Sequence, residues 1–186
     1  MTTAPTADRR AGGAAVAGGL LLAASVGAEL LHPVQASDGT VLQDGLFAGY
    51  LAVWTVGAAL LARAAAGLGG ASRAAQTGRV LNLTGFVLLF VFGVVVLATG
   101  LLGRPWEPSF VAFALGLLMV AAGSLTAGIA RGRAGWPLML AAGGALVALL
   151  TEELHDVGLF VLFGAWVVIG LLRRARQEAV VGTPVA

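Results

Sequence analysis

The sequence contains no cysteine and no lysine, one tyrosine, two histidines and few charges, with Asp, Glu and Arg together making up 11% of its 186 residues. Without cysteine there are no disulfides, no thiolate metal sites and no thiol redox chemistry. A charged fraction this low excludes an ordinary soluble domain, in which about a quarter of residues are charged. The basic residues are all arginine, eleven of them, against nine acids. The high isoelectric point, about 10.4, suggests nucleic acid only if the arginines form a patch, and their positions argue otherwise.

What is abundant is apolar. Hydrophobic residues make up 59% of the chain and glycine accounts for 28 positions. Residues 80–102 carry no charge at all, and their polar side chains, Asn82, Thr84 and Thr99, lie near the two ends. At about 1.5 Å per residue such a helix reaches roughly 34 Å, enough to cross a hydrocarbon core of about 30 Å. Five further apolar stretches, 11–31, 45–62, 109–130, 136–151 and 157–172, complete the set. The fold class expected is therefore all-α: a polytopic membrane protein, a six-transmembrane-helix bundle with its N- and C-termini cytoplasmic. Residues 1–10 are expected to form a short disordered N-terminus, 64–78 a flexible connector and 173–186 a cytoplasmic tail. A secretory leader is the rival for the first stretch, since Val34-Gln35-Ala36 offers small residues for cleavage. Its apolar length exceeds the 7–15 residues usual for a leader's hydrophobic region, which favours a span.

The charges agree with this count. With six spans, one side carries ten of the eleven arginines, and the other keeps Arg104 with seven of the nine acids. Short arginine-rich loops stay in the cytoplasm, so the arginine side is the expected inner side. There the arginines face lipid headgroups, and no nucleic-acid partner is expected. The partner expected is the lipid bilayer of a bacterial cell membrane, with a homo-oligomer or another membrane subunit as a further possibility.

No span carries an ionisable residue at its centre, which argues against a carboxylate proton relay or a voltage sensor. The polar side chains within spans, among them Ser25, Thr55, Asn82, Ser124 and Thr126, are expected to bond to helix backbone. Gly67-Leu68-Gly69-Gly70 follows no strand and precedes no lysine, so it is not read as a phosphate loop. Glu152-Glu153 resembles the start of the Glu-Glu-x-x-x-Arg motif of Abi-type intramembrane proteases, but Val157 stands where the arginine belongs.

One constellation carries metal chemistry. Each histidine has a glutamate three residues before it, Glu29 before His32 and Glu152 before His155. On a helix that spacing puts carboxylate and imidazole on one side, as in carboxylate-bridged metal bundles. Both pairs end odd-numbered spans and emerge on one face, where Glu29, His32, Glu152 and His155 are candidate ligands for a divalent transition metal, or the histidines for a haem. An acidic, solvated rim explains the same residues without a metal. For Glu29, one turn inside the apolar stretch, Arg104 and His32 are the expected partners. The row Ala112, Gly116, Ser124 and Gly128, interrupted by Val120, is expected to be a close-packing seam within the bundle, whereas Gly158, Gly164 and Gly170 do not share a face. Trp106 and Trp136 are expected at the membrane interface, and Trp54 and Trp166 in the core or facing lipid. The function expected is that of a non-enzymatic subunit, scaffold or binding module. A metal or haem protein is the first alternative, and a channel or carrier for a neutral solute the second.

Overall fold

The computed structural model describes residues 5–31, 45–101 and 110–181. They form six α-helices: α1 Pro5–Leu31, α2 Gly45–Ala66, α3 Arg73–Leu101, α4 Phe110–Ile129, α5 Trp136–Leu150 and α6 His155–Val181, with a 3-10 turn at Gly132–Gly135 between α4 and α5. All six are long and apolar enough to cross a membrane, the fifth when counted with the 3-10 turn before it, as Gly132–Leu150. Each packs along its neighbours in sequence and α1 closes against α6, so the helices make a ring. In lipid a helix satisfies its own backbone, which is why a chain with so few polar side chains adopts this form.

The helix bounds correct several expectations. Helix α1 already begins at Pro5, where disorder was expected, and α6 continues to Val181 through much of the expected tail. The connector expected over 64–78 shrinks to 67–72, because α2 runs to Ala66 and α3 starts at Arg73. Ser72 caps α3 by accepting the Ala75 N–H at 3.1 Å, satisfying one of the orphan donors of the helix start.

Glycines set the approach of antiparallel neighbours. Gly18 faces Gly57 between α1 and α2, Gly85 faces Gly116 between α3 and α4, Gly144 faces Gly158 between α5 and α6, and Gly12 faces Gly170 where the ring closes. A Cβ built at Gly85 would lie 2.7 Å from the Gly116 oxygen and 2.7 Å from Val120 Cγ2. Val120 therefore does not interrupt the α4 seam: it is fully buried, a knob seated on the bare backbone of α3. Gly128 meets Gly135 and Met139 instead. In α6, Gly158 meets α5, Gly170 meets α1 and Gly164 meets nothing within 4 Å, so the three do occupy different faces.

The centre of the ring is filled by aromatic side chains. The Trp54 ring lies 6.3 Å from Phe92, 5.9 Å from Phe113 and 5.6 Å from Phe163. Phe86 and Trp166 meet edge to face at 5.0 Å. Both deep tryptophans are thus core residues, while Trp136 is 53% exposed at the start of α5. Trp106 lies outside the described residues.

Four span hydroxyls bond to helix backbone as expected, whereas Ser124 bonds to a side chain. Thr55, Thr99 and Thr126 donate to carbonyls one turn back at 2.6, 2.8 and 2.7 Å, and Ser25 donates across to the Tyr50 carbonyl of α2 at 3.1 Å. One polar pair is wholly buried between helices: Ser124 Oγ donates to Asn82 Oδ1 at 2.8 Å, while Asn82 Nδ2 donates to the Gly78 carbonyl at 2.9 Å. Ser124→Ala strips the amide oxygen of this donor and is expected to cost about 1 kcal/mol. Equilibrium unfolding in mixed micelles measures it, and a double-mutant cycle with Asn82→Leu should show the two changes coupled.

Candidate functional site

The two ends of the ring differ in charge. At one end lie the start of α1, the α2–α3 turn, the end of α4 and the end of α6, as Gly12 beside Arg173 and Arg174 and Gly67 beside Ala11 and Arg173 make plain. This is the arginine end. At the other end stand Glu29, Glu152, Glu153, His155 and Asp156.

At the acidic end, α5 stops at Leu150, where the Thr151 N–H bonds to the Val147 carbonyl at 3.1 Å, and α6 begins at His155. Glu152 therefore lies in a turn and not on a helix, contrary to expectation, and is exposed, as is Glu153. Only a long 3.4 Å bond from the His155 N–H to the Glu152 carbonyl links that pair through the backbone. The imidazole is more deeply set: its ring lies 5.8 Å from that of Phe113, and Nδ1 is 2.5 Å from the Ala148 carbonyl. A carbonyl only accepts, so Nδ1 is the donor in this contact, the tautomer that in a neutral imidazole leaves the lone pair on Nε2. Glu29, exposed in the last turn of α1, interacts electrostatically with Asp156 and with His155. The expected partners of Glu29, Arg104 and His32, both lie outside the described residues, and so does the separation of the two histidines. Among the described residues no group of three or more His, Asp or Glu side chains is arranged to hold a metal ion.

At the arginine end the structure contains an arrangement that sequence reasoning missed. The turn Gly67–Gly70, dismissed as a connector, is held by two arginines from distant parts of the chain. Arg131, just beyond α4, donates through Nη2 to the Gly69 carbonyl and through Nη1 to the Ala127 carbonyl at 2.8 Å. Arg173, on α6, donates through Nη2 to the Gly67 carbonyl. Leu68 between these anchors is 3% exposed, so the turn is packed down onto the bundle. Gly70 has φ +155° and its Cβ position is occupied by Ala75, which makes glycine the fitting residue there. Partial burial and then the neighbouring Arg173 pull the Arg131 pKa below the usual guanidinium value. No sequence motif announces this clamp. The available hint was the glycine run itself, which leaves backbone carbonyls bare for side chains from elsewhere.

Compared with known protein families, curated proteins and solved structures, the chain matches none. The molecule is thus placed by its architecture: a multi-pass helical membrane protein with one basic and one acidic end.

Proposed function

We propose that the chain is a non-enzymatic integral protein of a bacterial cell membrane, a subunit, scaffold or binding module, with both termini in the cytoplasm. The observation that carries this reading is the filled centre of the ring. Trp54, Phe92, Phe113 and Phe163 converge there from four helices, where a carrier needs a polar, hydrated site and a channel an open lumen. The orientation follows from the arginine end, which short-loop topology rules assign to the cytoplasm.

A second reading, a metal or haem site at the acidic end, is favoured by one observation. His155 has Nδ1 pinned to a carbonyl and Glu29 within electrostatic reach, the usual way a ligating imidazole is oriented. Metal analysis of the purified protein separates the two readings. The first expects less than about a tenth of an equivalent of any transition metal, unchanged in His155→Ala. About one equivalent, lost in His155→Ala, would overturn it in favour of the second.

A further inference from the structure

The start of α1 and the end of α6 run side by side where Gly12 faces Gly170. One side chain crosses that seam. A Cβ at Gly12 would lie 3.4 Å from Arg174 Cγ, and one at Gly13 would lie 3.0 Å from Arg174 Nη2, so the arginine is laid along bare α1 backbone. A larger residue at Gly13 lifts it off. Side chains of a helix lean toward its start, which for α6 is the acidic end, so the lean carries the guanidinium back toward the apolar part of the bundle. Leu171 and Leu172, just before it, are 51% and 39% exposed. A guanidinium keeps its charge in a protein, and one held at the edge of the hydrocarbon calls for an anion at that depth.

Arg9 and Arg10 stand one turn before Gly13 on α1, on the same side of the helix. Both are exposed, as are Arg174 and Arg176, whereas Glu178 is the one exposed acid among the described side chains of this seam. Cationic charge therefore prevails there. Arg173 donates instead to the Gly67 carbonyl and takes no part.

We propose that Arg9, Arg10 and Arg174 form a binding surface for an anionic phospholipid, its phosphate beside Arg174 and its acyl chains over Leu171 and Leu172. The planar guanidinium fork suits phosphate oxygens in pairs, and the bare backbone of Gly12 and Gly13 lets the fork lie close against α1. The exposed leucines favour a lipid over free phosphate, which has nothing to place on them. This goes beyond the scaffold reading by assigning one seam of the bundle to one class of lipid.

The purified full chain in neutral detergent is titrated with short-chain phosphatidylglycerol, short-chain phosphatidylcholine or inorganic phosphate, and bound species are counted by native mass spectrometry. Phosphatidylglycerol is expected to bind in preference to phosphatidylcholine, and an equal concentration of inorganic phosphate should fail to displace it. Arg174→Gln, and Arg9→Gln combined with Arg10→Gln, should each weaken phosphatidylglycerol binding by about fivefold or more. All three positions are exposed, so the fold survives these changes. Arg79, also exposed, lies on α3, two places round the ring from α1. Arg79→Gln removes the same charge at a distance that salt screens, and should weaken binding by less than about twofold. Gly13→Leu keeps every charge, its Cβ meets only Arg174, and it should weaken binding by displacing the guanidinium. The surface is refuted if phosphatidylcholine binds equally well, if phosphate displaces the lipid, if Arg79→Gln weakens binding as much as Arg174→Gln, or if Gly13→Leu binds like the parent.

Discussion

Two substitutions at adjacent positions of α5, Gly143→Ala and Gly144→Ala, are expected to act in opposite directions. At Gly144 a new Cβ would lie 2.6 Å from the Leu162 nitrogen and 2.7 Å from the Gly158 oxygen. These are backbone atoms of α6 and cannot step aside as a side chain can, so the two helices must part. A Cβ at Gly158 would in turn lie 2.6 Å from the Gly144 oxygen of α5, and widening the crossing exposes bare backbone on both sides. A loss of about 1–3 kcal/mol is expected, the usual cost of overpacking a close-packed interior. At Gly143 the same methyl meets nothing within 4 Å, and the residue is exposed toward lipid. There the gain in helix propensity dominates, and stability should rise by up to about 1 kcal/mol. Unfolding midpoints of the two purified variants in the same detergent decide the matter. Equal midpoints would mean that α5 and α6 do not cross at these glycines.

This contrast marks the limit of what the residues alone disclose. The number of spans is legible because lipid imposes a simple demand, an uncharged run of about twenty residues for every crossing. The ends of the helices are not, because backbone hydrogen bonding does not stop where the hydrocarbon does. Helix α3 begins at Arg73, ahead of its apolar run, and α6 continues through Arg173, Arg174 and Arg176 to Val181, carried by arginine, alanine, glutamine and glutamate, which are good helix formers. The α4 seam is half legible. Gly116 and Ser124 do face α3, but Gly123, which lies against Asn82 and Gly78, falls outside the one-turn row. Heptad spacing, which puts Gly116 and Gly123 on one face, describes the contact better than a four-residue count. At the acidic end, the spacing of Glu152 and His155 holds while the helix meant to align them does not, since a turn begins as soon as α5 ends. The arginine clamp is illegible for a plainer reason: its parts lie at residues 67–70, 131 and 173, and only the closure of the ring brings them together.

The largest single loss is expected at the residue that joins most of the ring. Trp54 projects from α2 onto Phe92 of α3, Phe113 of α4 and Phe163 of α6, and is 7% exposed. Its indole N–H also donates to the Leu89 carbonyl at 3.3 Å. Trp54→Ala removes the ring that fills the space between four helices, and a cavity lined by phenylalanines cannot close without moving them. About 3–5 kcal/mol is expected. In lipid, where helix association depends on packing contact more than on release of water, the loss should show as separation of helices with their helicity retained. Far-UV circular dichroism should therefore change little while the detergent-unfolding midpoint falls. Trp54→Phe keeps an aromatic body and forfeits the hydrogen bond, which is long and whose acceptor sits within a helix ladder, so about 0.5–1.5 kcal/mol is expected. The ratio of the two losses distinguishes the causes. If packing holds the ring together, alanine costs several times more than phenylalanine. Equal losses would place the energy in the indole hydrogen bond and remove the filled centre as the organising feature of the bundle.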